Sequence, residues 1–401
     1  METKAKSTRN VAIEFWRVFC SIAIVGFHLG WIIARACNGS NGYWMETSNW
    51  FFGASEVLLL FTITAGYFLV KHFKKLAKDK EYTERSASSR AWEYTWARVK
   101  ALLPVLILGY ILGVIISTPF YYPDYGVQEY FTMIVNSIWE FLGFHAVGLR
   151  SAGGQFFNTN GVLWFISAII IFGYFIYWGL CKNEDFFSGI IAPFGAIFFA
   201  GWWSFTGTRA AQTAWSTFGL QTASTNGMGG SAGATTATLG FNNGFIFVGI
   251  GMLIGVMAYY LIEAASKKKL NKVALTCLNL VCSVLLAWYI IYQPTWFNLE
   301  RWTVAFLCIV VIVLSLLNED YLSKALNNNV THGILEYFGG ISLYIYMLHY
   351  PVAIGVIRLL GQNTQETIYG FWKVYVPTLV LTIALSIVTK WVMEHTVLKK
   401  K

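Results

Sequence analysis

Charge is what this chain has least of. Only 12% of its 401 residues are Asp, Glu, Lys or Arg, against 56% hydrophobic and 17% aromatic. A soluble domain of this size has no need of so many apolar residues, and the apolar runs recur at bilayer-spanning length. The expectation is an all-α, polytopic membrane protein whose first partner is the lipid bilayer. Cysteine is also sparse. The six (Cys20, Cys37, Cys181, Cys277, Cys282, Cys308) show no metal or redox spacing, and only Cys37 falls in a loop. A disulfide framework is therefore not expected, nor is a metal site. A cleavable signal peptide is not expected either: Lys4, Lys6 and Arg9 precede the first apolar run, but the run is too long and has no small-residue cleavage site. No internal repeat is seen. The net charge of +9 would suggest nucleic acid in a soluble protein; here loop placement accounts for it, and no nucleic-acid partner is expected.

What is present is a series of ten apolar segments, at about 12–34, 50–70, 99–118, 162–181, 187–204, 245–263, 272–293, 301–318, 336–360 and 371–394. The fifth and eighth are short, and the fifth carries Pro193. With the N-terminus in the cytoplasm, the inner side collects 22 basic residues, including Lys71, Lys74, Lys75, Lys78, Lys80, Arg85, Arg90, Arg98, Lys100, Lys182, Lys267–Lys269, Lys272, Lys324, Lys390 and Lys399–Lys401. The outer side keeps only Arg35, Arg150, Arg209, Arg301, Arg358 and Lys373. An error of one span in the middle would scramble this split, so the bias supports ten crossings with both termini inside. Residues 71–100 form the one sizeable cytoplasmic loop, with helical character near "ERSASSRAWEYTWARVK". Two outer segments are long. The first, 119–161, opens on Pro119 and Pro123, contains Glu140 and His145, and has an interfacial or re-entrant helix as a candidate near 127–144. The second, 205–243, is rich in Gly, Ala, Ser and Thr and reads as a flexible linker or as a loop that orders on a partner.

Ionisable residues inside apolar spans are expensive and mark function by default. Arg17 and His28 sit in one run, Phe15 to Ile33. Eleven residues at ~100° each return the two side chains to within about 20° of the same face, roughly 16 Å apart along the axis. One stripe thus carries a permanent cation near the inner end and a titratable base in the outer half. An elongated anionic ligand, charged at one end and reactive at the other, suits it. Arg17 has two readings: a structural ion pair with Glu14, three positions earlier, or a phosphate site. His28 is either a packing residue or a base that takes a proton from a hydroxyl. Glu56, at similar depth in the second span, either orients the His28 imidazole as a carboxylate does in a triad or faces water at the interface. His349, in "ISLYIYMLHYPV", either lines the same cavity and bonds substrate or is a structural histidine before a proline kink. Trp164, in "GVLWFIS", is a sugar-stacking residue or a member of an aromatic belt.

Taken together, these features resemble the acyltransferase-3 family of integral-membrane acyltransferases. "EFWRVFCSIAIVGFH" is similar to that family's acidic residue, arginine and histidine in the first helix, with Glu14 where aspartate is usual. "LFTITAGYFL" resembles its second-helix motif, with Ala65 replacing serine. "WARVKALLPVLIL" resembles its basic-then-proline third helix, through Arg98, Lys100 and Pro104. "GVLWFIS", "ISLYIYMLHYP" and "WVMEHTVLKK" resemble later motifs. The resemblance implies ten helices, a cytoplasmic acyl-CoA donor (acetyl-CoA first, succinyl second) and transfer to a hydroxyl, often of a surface carbohydrate at the outer face of a bacterial-type plasma membrane. In that reading His28 and Glu56 are catalytic, Arg17, Arg98 and Lys100 hold the donor, His349 and Trp164 meet the acceptor, and no metal takes part. Glu56 maps onto no family motif. No esterase-like domain is expected within these 401 residues, which also counts against a sensor or scaffold. A transporter of a polar solute or carbohydrate intermediate is the main rival, although paired halves with broken helices are not seen. The acceptor stays open among O-antigen, exopolysaccharide, teichoic acid, peptidoglycan and small molecules, as does the oligomeric state.

Overall fold

The structure is a computed structural model that describes residues 9–36, 50–121, 123–137, 160–205, 243–292, 301–360 and 368–396. Ten apolar helices dominate them: α1 (Val11–Ala36), α2 (Val57–Leu76), α3 (Ala87–Leu112), α4 (Leu163–Lys182), α5 (Ala192–Phe205), α6 (Asn243–Ser266), α7 (Lys272–Ile291), α8 (Arg301–Leu317), α9 (Asn329–Leu360) and α10 (Ile368–Thr396). Nine of the helical stretches are long and apolar enough to cross a membrane, and Trp302–Leu317 in α8 is a shorter apolar helix. Among the described residues there is no strand, only an isolated bridge between Trp50 and Tyr292.

Helix ends follow local chemistry. Asn10 caps α1 by accepting from the backbone N–H groups of Ala12 and Ile13, and Glu14 in the first turn complements the helix dipole. Asn271 caps α7 in the same way. α3 contains Pro104 and is continued by a π-helical turn, Gly113–Ser117, and a last helical turn, Thr118–Tyr121. The segment 71–100, expected as a loop, is almost wholly helical. α2 runs on to Leu76, Lys80–Glu84 forms a short helix capped by Asp79, and α3 starts at Ala87 with Ser86 as its cap. Most of its charges fall on exposed faces, with Arg90 buried against the Cys181 carbonyl, so the hydropathy that bounds a span does not bound the helix. In the segment 119–161 Val127–Asn136 is an amphipathic helix. Tyr110 Oη lies 2.6 Å from Ser137 Oγ and the Tyr130 hydroxyl bonds the Val114 carbonyl, while Val127, Phe131 and Val135 stay exposed. Residues 138–159, with Glu140 and His145, the Gly/Ser/Thr-rich 206–242, and Cys37 lie outside the described residues.

Two helix pairs test the count of crossings. In an alternating series, helices of equal parity run parallel. α2 and α6 are parallel: a Cβ at Gly251 would meet Thr62, and one at Gly255 would meet Ile63, Gly66 and Tyr67. α1 and α9 are parallel too, because Arg9 pairs with Glu336, Ser21 bonds the Ser342 carbonyl, and His28 meets His349. With the other helices crossing, removing the proline-containing α5 would turn α6 against α2, and removing the short α8 would turn α9 against α1. Both weak spans are therefore required. The beginnings of α1 and α9 and the end of α10 also share one end of the bundle, where Arg9 and Lys390 both lie over Gly340.

Candidate functional site

His28 faces α9, while Arg17, near the same face of α1 by helical period, borders α2 and α8. Below them, Glu14 is buried against Gly339, where a Cβ would overlap the carboxylate. Ser21 Oγ donates to its own Arg17 carbonyl at 2.8 Å and approaches the Ser342 carbonyl at 3.3 Å. One and two turns higher the pair that matters is formed: His349 Nε2 lies 2.9 Å from His28 Nδ1. The rings are 4.9 Å apart between centroids and tilted by 34°. His349 has no exposed surface, whereas His28 is half-buried.

The backbone assigns the protons. His28 Nδ1 is 3.1 Å from the Ile24 carbonyl, and His349 Nδ1 is 3.1 Å from the Ile345 carbonyl. Carbonyl oxygens only accept, so each Nδ1 carries hydrogen. A neutral His349 then offers a lone pair at Nε2, which receives the His28 Nδ1–H that Ile24 also shares. The opposite arrangement would set two nitrogen lone pairs against two carbonyl oxygens. His28 Nε2 is left as a basic nitrogen on the ring that keeps some exposure.

Three braces hold these rings. The Phe51 ring covers Gly26, where a Cβ would overlap it, and Phe51 itself takes a left-handed φ of 58°. Tyr375 donates from its hydroxyl to the Ile22 carbonyl at 3.1 Å and stacks on Phe51 at 5.2 Å. On the α9 side, buried Asn160 donates to the carbonyls of Gly109 (3.2 Å) and Met347 (2.9 Å), and Tyr346 donates to the Val162 carbonyl at 3.1 Å.

Arg17 donates from Nη1 to both Glu14 oxygens at 3.2 Å. Among the described residues Nε and Nη2 make no hydrogen bond, and about a third of the side chain (32%) is exposed. A small void of about 10 Å³ borders it, lined by Ile13, Trp16, Leu60, Phe61 and Thr64 among others. That space holds about one water, so a longer ligand has to move Trp16 or Phe61. A larger groove of about 240 Å³ opens on the neighbouring side of α1, between Phe15, Trp16, Phe19 and α7.

With this geometry stands a sequence comparison: a family model described as an acyltransferase domain matches residues 10–391. The chain belongs to the acyltransferase-3 family. No curated protein and no solved structure matches it. As a member of that family the protein is a membrane acyltransferase, of a kind that generally transfers acyl groups to carbohydrates.

The other residues singled out from the sequence of this acyltransferase come from the turn before α2, from α3 and from the start of α4. Glu56 ends the 3-10 turn Phe52–Glu56 and is buried, with Cys308 of α8 within its electrostatic reach. His28 Nδ1 itself is shared between the Ile24 carbonyl and His349 Nε2, so α9 supplies a partner at that nitrogen. Trp164 is buried at the start of α4 beside Phe165, not presented as an open platform. Arg98 lies over the Tyr94 ring at 5.3 Å and Lys100 is exposed; neither contacts Arg17. Asn160, Phe51 and Tyr375 went unnoticed in the sequence. Asn160 stands two residues before "VLWFIS", and a lone Asn beside an apolar run is the one signal that marks it.

Proposed function

We propose that this membrane acyltransferase moves an acyl group, acetyl in the first instance, from cytoplasmic acyl-CoA to a hydroxyl of a cell-surface carbohydrate, in a bacterial-type plasma membrane with both termini in the cytoplasm. The observation that carries this reading is the face of α1 itself. It holds an arginine with unused donors, then, one ligand length away, an imidazole whose Nε2 is the free basic nitrogen. Coenzyme A has phosphates at one end and a thioester at the other. Arg17 holds the phosphate end bidentately through Nε and Nη2, and Arg98 and Lys100 raise the local concentration of the anionic donor from the cytoplasm. The pantetheine arm runs along α1 toward His28.

The acceptor hydroxyl arrives from the outer side. Its oxygen bonds the thioester carbonyl carbon while His28 Nε2 takes its proton; the C–S bond then breaks, and the leaving sulfur receives that proton from the imidazolium as free thiol. In a two-step route the same nitrogen bonds the carbonyl carbon and the C–S bond breaks, sulfur leaving as thiolate; the hydroxyl oxygen then takes the acyl carbon as the N–C bond breaks, and its proton balances the thiolate as free thiol. Both routes use Nε2 and no metal. The test is to incubate membranes containing the protein with acetyl-CoA radiolabelled in the acetyl group. Label in carbohydrate that depends on His28 supports the reading. Carbohydrate without label, with the donor intact, rejects it.

A further inference from the structure

His349 was a candidate for substrate contact, but its place in the bundle argues for another task. It is fully buried behind His28, on the side away from that ring's basic nitrogen. Its Nδ1–H is held by the Ile345 carbonyl, its Nε2 is directed at His28 Nδ1, and its ring packs on Tyr346, itself tied to the Val162 carbonyl. Every polar atom of the ring is thus committed within the protein, with none left for a ligand.

We infer that His349 is a positioning residue: its neutral imidazole stands where a catalytic triad has a carboxylate, and it keeps His28 in the tautomer whose Nε2 faces the reaction. This deepens the function proposed above and rests on it for the activity readout alone. The physical logic favours a neutral partner at this depth. A carboxylate beside His28 would be a buried charge whenever the imidazole is neutral, which costs several kcal/mol or forces protonation. An imidazole lone pair accepts the same hydrogen bond without that cost. When His28 takes a proton at Nε2, the Nδ1–H donor becomes charged and its bond to His349 strengthens, so the partner favours the loaded base more than the resting one. The carbonyl of Ile24 alone also accepts from Nδ1, but it lies on the same helix and cannot fix the ring against rotation toward α9.

Two substitutions separate positioning from packing. His349→Gln keeps an acceptor near the position of Nε2; His349→Leu keeps bulk and removes the acceptor. Both are made in the full-length protein, checked by thermal unfolding and assayed with acetyl-CoA. The expected result is a fall in kcat of about 100-fold for His349→Leu with KM within about twofold, and recovery to within about fivefold of the parent for His349→Gln. Parent-like kcat in the Leu variant, or equal loss in both folded variants, overturns the inference. A second measurement does not need turnover. In protein labelled with ¹⁵N-histidine, NMR at neutral pH should show His28 protonated at Nδ1 and bare at Nε2, with His349 likewise protonated at Nδ1. The reverse tautomer in either ring overturns the inference, even where the Leu variant fails to fold. If the parent protein transfers no acyl group yet shows these tautomers, it is the proposed function that fails and the pairing stands.

Discussion

Two of the parallel helix pairs of this protein, α2 with α6 and α1 with α9, are joined by opposite means. At α2–α6 the contact is made of glycine. Gly66 faces the Met252 carbonyl, and Gly251 and Gly255, four apart on α6, receive Thr62 and the Ile63–Tyr67 backbone. Small residues at that spacing let helix backbones touch, and dispersion holds them. At α1–α9 the contact is made of polar groups in register: Glu14 at Gly339, Ser21 at Ser342 and His28 at His349. Each polar group there has a partner, as burial demands. The glycine joint leaves no room for a ligand or for change. The polar joint holds its helices while leaving one nitrogen of His28 and two donors of Arg17 unspent.

If that contrast is right, the two joints break differently. Gly255→Leu should give the largest effect, since its side chain would run into the α2 backbone; the expected outcome is loss of at least about 3 kcal/mol and little folded protein by gel filtration after solubilisation. A well-behaved Gly255→Leu protein would show the joint to be looser than described. His28→Ala should leave the protein folded, with unchanged elution and melting, and lower acyl transfer by about 1000-fold. Arg17→Lys is expected to raise KM for acyl-CoA about tenfold with kcat nearly intact, because lysine keeps the charge and loses the planar fork. An unchanged KM would make Arg17 a structural partner of Glu14. Ser21→Ala should be mildest. Its hydroxyl bonds carbonyls already served by their helices, so a cost of about 1 kcal/mol or less is expected, seen as a small drop in melting temperature.

Much of this was legible in the sequence, and the parts that were not share a cause. The Arg17–His28 stripe could be read because it needs only the period of one helix. The series of apolar helices could be read because each is a run of near-spanning length. The extent of α2 and α3 could not, since a helix that leaves the bilayer loses its apolar signature and keeps its hydrogen bonds. The meeting of His28 with His349 could not be read either, because depth along a helix says nothing of which way a side chain turns. The pairing with His349 depends on how two helices 321 positions apart in the chain lie side by side. The same holds for Asn160, whose three carbonyl and amide partners come from three places in the chain. Phe51 sits over Gly26 only because a turn between α1 and α2 adopts a left-handed residue, which no apolar pattern announces.

The most direct measurement is a structure of the protein in a lipid nanodisc with a hydrolysis-resistant acetyl-CoA analogue. The acyl carbon should lie about 3–3.5 Å from His28 Nε2, with a phosphate or pyrophosphate oxygen on Arg17 and His349 still bonded to Nδ1. An analogue seated elsewhere, with His28 turned to lipid or its Nε2 spent on another protein group, would contradict the account.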